Sequence, residues 1–485
     1  MSFYQIGRSL PQRFRLVLAS FLQASDLPFS GVLTEAEIAE AFESEASRFA
    51  QEEGDVYTPP LTLWAFLSQV LHKAEQRSCL AAVSRVIVLL VALGREPCAK
   101  NSGGYCKARA KLPETVLQRL ATRVADGCER EVPEAWLWKG RHVKLADGTT
   151  VSMPDTEENQ AEYPQQASQQ PGLGFPVARM VVLLSLATAM LGGMAIGPYS
   201  GKETGELALM RQLLDQLDPD DILLTDRYFC SYFMIALLLS RNIDFVARLH
   251  HARKENAYRV RRLGRKDWLI QWRRPQRPDW MDRETYARMP ESLTLRQIEV
   301  DVTQPGFRVE SLTVATTLTD PQTYARDEIA ELYHKRWLVE LDIRAIKCSL
   351  GMDVLRCKTP EMVRKEIWTC LLAYNLLRKT MLQAAIGSGL SPRQLSFANA
   401  MQTMAASWGV LPMLDRSRVA SMIASQLASL TSPIVGNRPD QIEPRAVKRR
   451  PKPMRLLSMP RDAAREQLRR GVDPYLNFRR FQGEF

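Results

Sequence analysis

The segment from Ile329 to Leu350 carries two patterns on one helix. Ile329, Leu332, Val339, Ile343, Ile346 and Leu350 form an apolar band, while Tyr333, Arg336, Glu340 and Lys347 recur at intervals of three, four and seven. At about 100° per residue the four polar positions fall within roughly 60° of one another. A helix of this kind buries one face and leaves its stripe at a rim. Asp342 projects to the opposite side, so Glu340 is the acid that shares a face with two cations and a phenol. Read alone, Arg336 and Glu340 are an i,i+4 ion pair worth roughly a few tenths of a kcal/mol. Read as a site, the stripe suits a metal held beside a phosphate backbone.

Two further acids stand at the ends of predicted strands. His142-Val143-Lys144-Leu145-Ala146-Asp147 alternates like a half-buried strand and closes on Asp147, followed by Gly148, Thr149 and Thr150. Asp221-Ile222-Leu223-Leu224-Thr225-Asp226 is a short apolar run suited to a buried strand, closed by Asp226 and Arg227. Around them the patterning predicts strands over Arg179–Ala187 and Met194–Gly197, turned near Gly192-Gly193. A helix over Glu203–Leu217, a second over Tyr228–Ser240 and a strand over Asp244–Leu249 follow. This order brings Asp147 and Asp226 together from distant sequence, with Glu340 approaching from a helix. Asp155, Glu157 and Glu158, in a polar stretch from Val151 to Phe175 that reads as a long loop, are the competing acids near Asp147.

The pattern Y-x2-R-x3-E-x6-K from Tyr333 to Lys347 resembles the signature of the insertion-sequence-four family of DDE transposases. The Asp-Gly-Thr-Thr and Leu-Leu-Thr-Asp-Arg blocks resemble those that carry the family's first two acids. The resemblance implies an α/β fold with a ribonuclease H-like catalytic core, in which Asp147, Asp226 and Glu340 are catalytic and bind two divalent metal ions, Mg2+ or Mn2+. Such a pair, about 3.5–4 Å apart, activates a water or a 3′ hydroxyl and shields the leaving oxygen, and hard cations take oxygen ligands. It further implies cleavage at transposon ends with terminal inverted repeats, strand transfer into target DNA, and a homodimer that pairs two ends. Tyr333, Arg336 and Lys347 are then the phosphate contacts. The chain departs from hairpin-forming relatives at Ser311–Thr317, which holds no aromatic to receive a flipped base. A ribonuclease H-like nuclease without strand transfer, or a domesticated non-catalytic DNA-binding protein, are the alternatives.

The charge is concentrated where DNA contacts would lie. The net charge is +11, and His251–Arg288 and Asn437–Phe485 each contribute +7 (twelve bases less five acids, thirteen less six), leaving the rest about −3. The first basic segment interleaves Tyr258, Trp268, Trp272, Trp280 and Tyr286 with arginines, a composition suited to neutralising phosphates and stacking on bases. Arg227, Arg273, Arg274 and Trp272 are therefore expected DNA contacts, against the alternative that the tryptophans form a small core of their own.

The expected organisation is a helical N-terminal domain over residues 1–138, either an end-recognition module or a packing layer, and the first part of the core over 139–250. A basic β-rich insertion over 251–310, the rest of the core over 311–385, and a helical C-terminal region with a basic tail over 386–485 complete it. Eight cysteines without a C-x2-C pair indicate neither a zinc site nor a disulfide framework. Met180–Gly197 is apolar enough to suggest a membrane span, but its glycines favour core strands. A cytoplasmic protein without membrane association is expected.

Overall fold

The structure, a computed structural model, describes residues 35–44, 49, 55–249, 257–301, 311–432, 434–435 and 458–472. Among the described residues five helices come first: α1 (Glu35–Ser44), α2 (Pro59–Leu71), α3 (Cys79–Ala92), α4 (Gly103–Lys111) and α5 (Glu114–Arg130). The next stretch alternates: β1 (Val143–Ser152), α6 (Glu157–Glu162), β2 (Val177–Ser185), β3 (Leu191–Pro198), α7 (Glu206–Arg211), β4 (Ile222–Thr225), α8 (Tyr232–Leu239) and β5 (Asp244–Arg248). Then come β6 (Ala257–Gly264), β7 (Asp267–Arg273), α9 (Arg283–Arg288), β8 (Ser292–Asp301) and β9 (Ser311–Thr316). The chain continues through α10 (Arg326–His334), α11 (Leu338–Arg344), α12 (Pro360–Ser388), α13 (Phe397–Ser407), α14 (Arg416–Thr431) and α15 (Arg461–Arg469). The fold is mixed α/β.

The nine strands among the described residues join one sheet in the order β3-β2-β1-β4-β5-β9-β8-β7-β6. β1, β4 and β5 run parallel, and β2 and β9 flank them antiparallel. Alternate residues feed opposite cores: Leu145, Ile222, Leu224 and Val246 face one, Ala146, Leu223, Phe245 and Ala247 the other. Because helices cover both faces, every residue of β4 is buried, which explains its unbroken apolar run. The segment tested as a membrane span is the β2–β3 hairpin, and no helix among the described residues is long and apolar enough to cross a membrane.

On the first face α12 is the central strut. Thr359 caps it by accepting from the Met362 amide, Pro360 opens it, and Gly389 closes it at φ +68°. It packs on α2 and α5 from the N-terminal half and on α13 and α14 from the C-terminal end, so helices from both ends share one core with the sheet. Basic-tail residues 436–457 and 473–485 lie outside the described residues.

Three local expectations change. The β2–β3 turn lies at Leu186–Met190, not at Gly192-Gly193: Thr188 Oγ1 accepts from the Met190 amide and Ala189 takes φ +60°, while both glycines sit within β3. The predicted helix from Glu203 breaks after Arg211 into a short 3-10 turn at Leu214–Gln216. The Val151–Phe175 stretch is not wholly loop, since β1 continues to Ser152 and α6 follows, its Thr156 cap accepting from the Asn159 amide.

Candidate active site

Asp147 does not end a strand. The parallel ladder between β1 and β4 ends at Ala146 and Thr225, while β1 goes on pairing with β2 through Ser152. Loss of the parallel neighbour opens the sheet on one side at Asp147, and Asp226 is the first residue past the same end of β4. The two acids thus stand side by side where the parallel pairing of β1 with β4 ends. Asp226 Oδ1 accepts from the Tyr228 amide at 2.8 Å, and Asp147 Oδ1 from the Gly148 amide at 2.8 Å. Each carboxylate keeps a second oxygen for another partner.

The stripe helix is continuous but not uniform. A 3-10 turn at Lys335–Trp337 joins α10 to α11, and a π-helical turn at Ala345–Ser349 ends it. A 3-10 turn winds tighter than an α-helix and a π turn looser, so the two offset each other and the four stripe residues still reach the same region. Ile329, Leu332, Val339, Ile346 and Leu350 are buried as the apolar band requires. Asp342 is buried too, its oxygens taken by Arg378 at 2.8 Å and Arg393 at 3.0 Å. It anchors this helix to the strut, which leaves Glu340 facing the sheet ends.

Arg336 stands between two of the acids. Its Nη1 lies 3.8 Å from Asp147 Oδ2, and its Nη2 donates to Glu340 Oε1 at 2.8 Å. Burial works against the guanidinium charge, but Glu340, Tyr333 and Asp147 outweigh it and raise the Arg336 pKa. Burial, with Asp226 and Glu206 nearby, pushes the Asp147 carboxyl up to about 6 despite the Gly148 amide and Arg336. Lys347 Nζ donates to the Thr150 carbonyl at 2.7 Å, pinning the helix to β1. Tyr333 is buried, and desolvation raises its hydroxyl to about 12. Arg336 and Lys347 therefore have partners inside the protein, and Tyr333 meets the Arg248 backbone.

Among the described residues, no three His, Cys, Asp or Glu side chains are drawn together as a ready ion cage. What the structure holds between Asp147 and Glu340 is a guanidinium, a cation standing where carboxylates would otherwise repel. An all-oxygen donor set around such a position fits a hard divalent ion.

Sequence reasoning missed Glu206. It opens α7 on the opposite face of the sheet, and a Cβ on residue 148 would lie 2.2 Å from its Cδ and Oε1. Burial and the charge of Asp226 raise its pKa against the pull of Arg179. Two exposed aromatics at the rim were also passed over, Tyr228 two residues beyond Asp226 and Trp337 beside Arg336. The competing acids are outward: Asp155 accepts from Gln160 at 2.7 Å, and Glu157 and Glu158 are exposed on α6.

The insertion corrects one expected contact. Trp272 is 3% exposed and belongs to the core beneath β7, so it is no stacking platform. Trp268 lies under Arg259 and Trp280 under Arg211, their guanidinium carbons 3.8 and 3.9 Å from the ring centroids. Arg274 stacks on Tyr286 and donates to the carbonyls of Tyr286 and Met289, which makes it a brace for the loop. Arg273 and Arg227 are exposed.

The profile of the family described as "Transposase DDE domain" matches residues 138–376, the span that holds Asp147, Asp226 and the stripe. The chain is 30% identical over 409 residues to the transposase InsG of insertion sequence element IS4 from Escherichia coli K12, covering 81% of this chain and 85% of that one. It is 37% identical over 54 residues to the transposase of insertion sequence element IS421 from Escherichia coli, 11% of this chain and 15% of that one. A structural likeness to the piggyBac transposase in a synaptic complex with hairpin DNA has a TM-score of 0.42 at 8% identity, over 85% of each chain. The chain belongs to the insertion-sequence-four family of DDE transposases, metal-dependent enzymes of DNA transposition.

Proposed function

We propose that Asp147, Asp226 and Glu340 form the catalytic triad, holding two Mg2+ or Mn2+ ions on a core of ribonuclease H-like type, strands β3-β2-β1-β4-β5 with the stripe helix across their ends. The observation that carries this reading is the Arg336 guanidinium between Asp147 and Glu340. It marks a place that needs positive charge. Bound metal would supply charge stabilisation for phosphodiester cleavage and strand transfer. The protein's own part is to hold three oxygen donors on a rigid strand pair and an anchored helix.

With metal neutralising the acids, Arg336 is free to turn to a DNA phosphate, and Lys347 and Tyr333 line the same path. Arg227 and Arg273 are exposed contacts for the rest of the duplex. The DNA is the transposon end with its terminal inverted repeat and then the target. Two ends held together call for a homodimer in the synaptic complex, working in the cytoplasm. The division into an N-terminal helical domain, a split core, a basic insertion and a C-terminal region follows the same reading.

The test is metal-dependent cleavage and strand transfer on end-containing DNA. Asp147→Ala, Asp226→Ala and Glu340→Ala should each lower cleavage by roughly 10^4-fold, about 5 kcal/mol of barrier, with DNA binding intact. Cleavage at the wild-type rate by any one removes that residue from the triad. Cleavage without strand transfer by the wild-type protein would favour a nuclease.

A further inference from the structure

Glu206 sits where a carboxylate needs a reason. Its chain occupies the space beside Asp147 that a glycine at position 148 leaves open, since any Cβ there would meet Cδ and Oε1 at 2.2 Å. Among the described residues no hydrogen bond or ion pair within 4 Å ends on its carboxylate. Arg179, the counter-charge on its side, donates its Nη1 to the Thr204 carbonyl at 3.0 Å. Asp147 and Asp226 both add negative charge nearby. Near two other acids, half-buried and with its oxygens open to solvent, this carboxylate is free to accept hydrogen bonds from water.

Its position also limits what it can do. Asp147 lies on the stripe side of β1, and Glu206 reaches the same strand end from the face covered by α7. No three acids among the described residues converge on one point. A hydrated divalent ion closes that gap, because Mg2+ keeps several of its waters and those waters need acceptors.

We propose that Glu206 is a positioning residue of the metal centre, accepting hydrogen bonds from the waters of the cation held by Asp147 and Asp226. The inference rests on the triad reading above. Gly148 then has a purpose beyond backbone freedom, as the gap through which the fourth carboxylate approaches. Partners that orient a metal's ligands typically change its affinity by about 10- to 100-fold when lost.

The experiment is Mn2+ binding to the full chain without DNA, followed by the paramagnetic resonance of free Mn2+, alongside the melting temperature of the metal-free protein. Glu206→Gln keeps the shape against Gly148 and should weaken Mn2+ binding about 10- to 100-fold without lowering metal-free melting; Glu206→Asp should fall between. Wild-type affinity in Glu206→Gln overturns the assignment. So does weaker binding that comes with a lower metal-free melting temperature, which would mark a packing role. Asp226→Asn is measured in parallel: if it binds like wild type the triad reading fails, whereas loss there with none in Glu206→Gln fails Glu206 alone.

Discussion

The parallel pairing of β1 with β4 is charged at both ends, and the two ends are solved in opposite ways. At its start, Lys144 and His142 meet Glu129 at 3.0 and 3.1 Å, and Thr188 donates to the same carboxylate at 2.6 Å. Burial alone would raise the Glu129 pKa, yet Lys144 and the hydrogen bonds hold it down at about 2. At its far end, Asp147 has burial and two neighbouring acids against it and rises to about 6. One end is a finished network and the other awaits charge. The difference sets a charge network satisfied within the protein against a group of acids short of positive charge, within a single strand.

The largest effect expected at these two ends is on the finished one. Glu129→Gln leaves Lys144 buried without its counter-charge and should cost about 3 kcal/mol, read by urea unfolding at pH 7. Because the Glu129 pKa is depressed, its contribution is full above its ordinary 4.5 and fades as pH falls toward about 2. The variant should therefore lose less stability than wild type over that window. An equal acid loss in both would break the contrast.

At the waiting end the sign reverses. The raised Asp147 pKa makes its charge a burden: the benefit of protonation is full below 3.8 and gone once pH passes about 6. In the metal-free protein at pH 8, Asp147→Asn should be as stable as wild type or more so, by up to about 1–2 kcal/mol. A clear loss on the same unfolding curve would mean that Asp147 is a structural acid after all.

The smallest effect concerns the guanidinium between the acids. Arg336→Ala should weaken transposon-end binding about tenfold and reduce the dependence of log affinity on log salt by about 1. An unchanged slope in a fluorescence titration would confine Arg336 to pairing with Glu340.

Local signals made much of this site legible. Asp226 closes an unbroken apolar run, and helical phase alone puts Asp342 on the side opposite Glu340, where it is buried against Arg378 and Arg393. The strand pattern puts Asp147 at a strand end, but β1 continues past it, because the strand's course there depends on pairing with β2 alone. Glu206 carries no signal of its own: its place against Gly148 is made by residues far apart in sequence. The place of Trp272 is written in the strand period. Trp268, Ile270 and Trp272 alternate along β7, the period of a strand's inner face, and Ile270 and Trp272 are indeed buried. Composition around them pointed to bases instead. The β2–β3 turn misled for a related reason, since glycines mark turns only where no side chain does the work, and here Thr188 does.

The most direct test of the central claim, that the far end of the β1–β4 pairing is left short of positive charge in order to take metal, is anomalous scattering from crystals of the protein on a transposon end grown with Mn2+. The account predicts Mn2+ peaks between the carboxylates of Asp147, Asp226 and Glu340, with Arg336 moved off Glu340 toward a phosphate. Crystals with DNA bound but no Mn2+ at those carboxylates, and Arg336 still between Asp147 and Glu340, would contradict it.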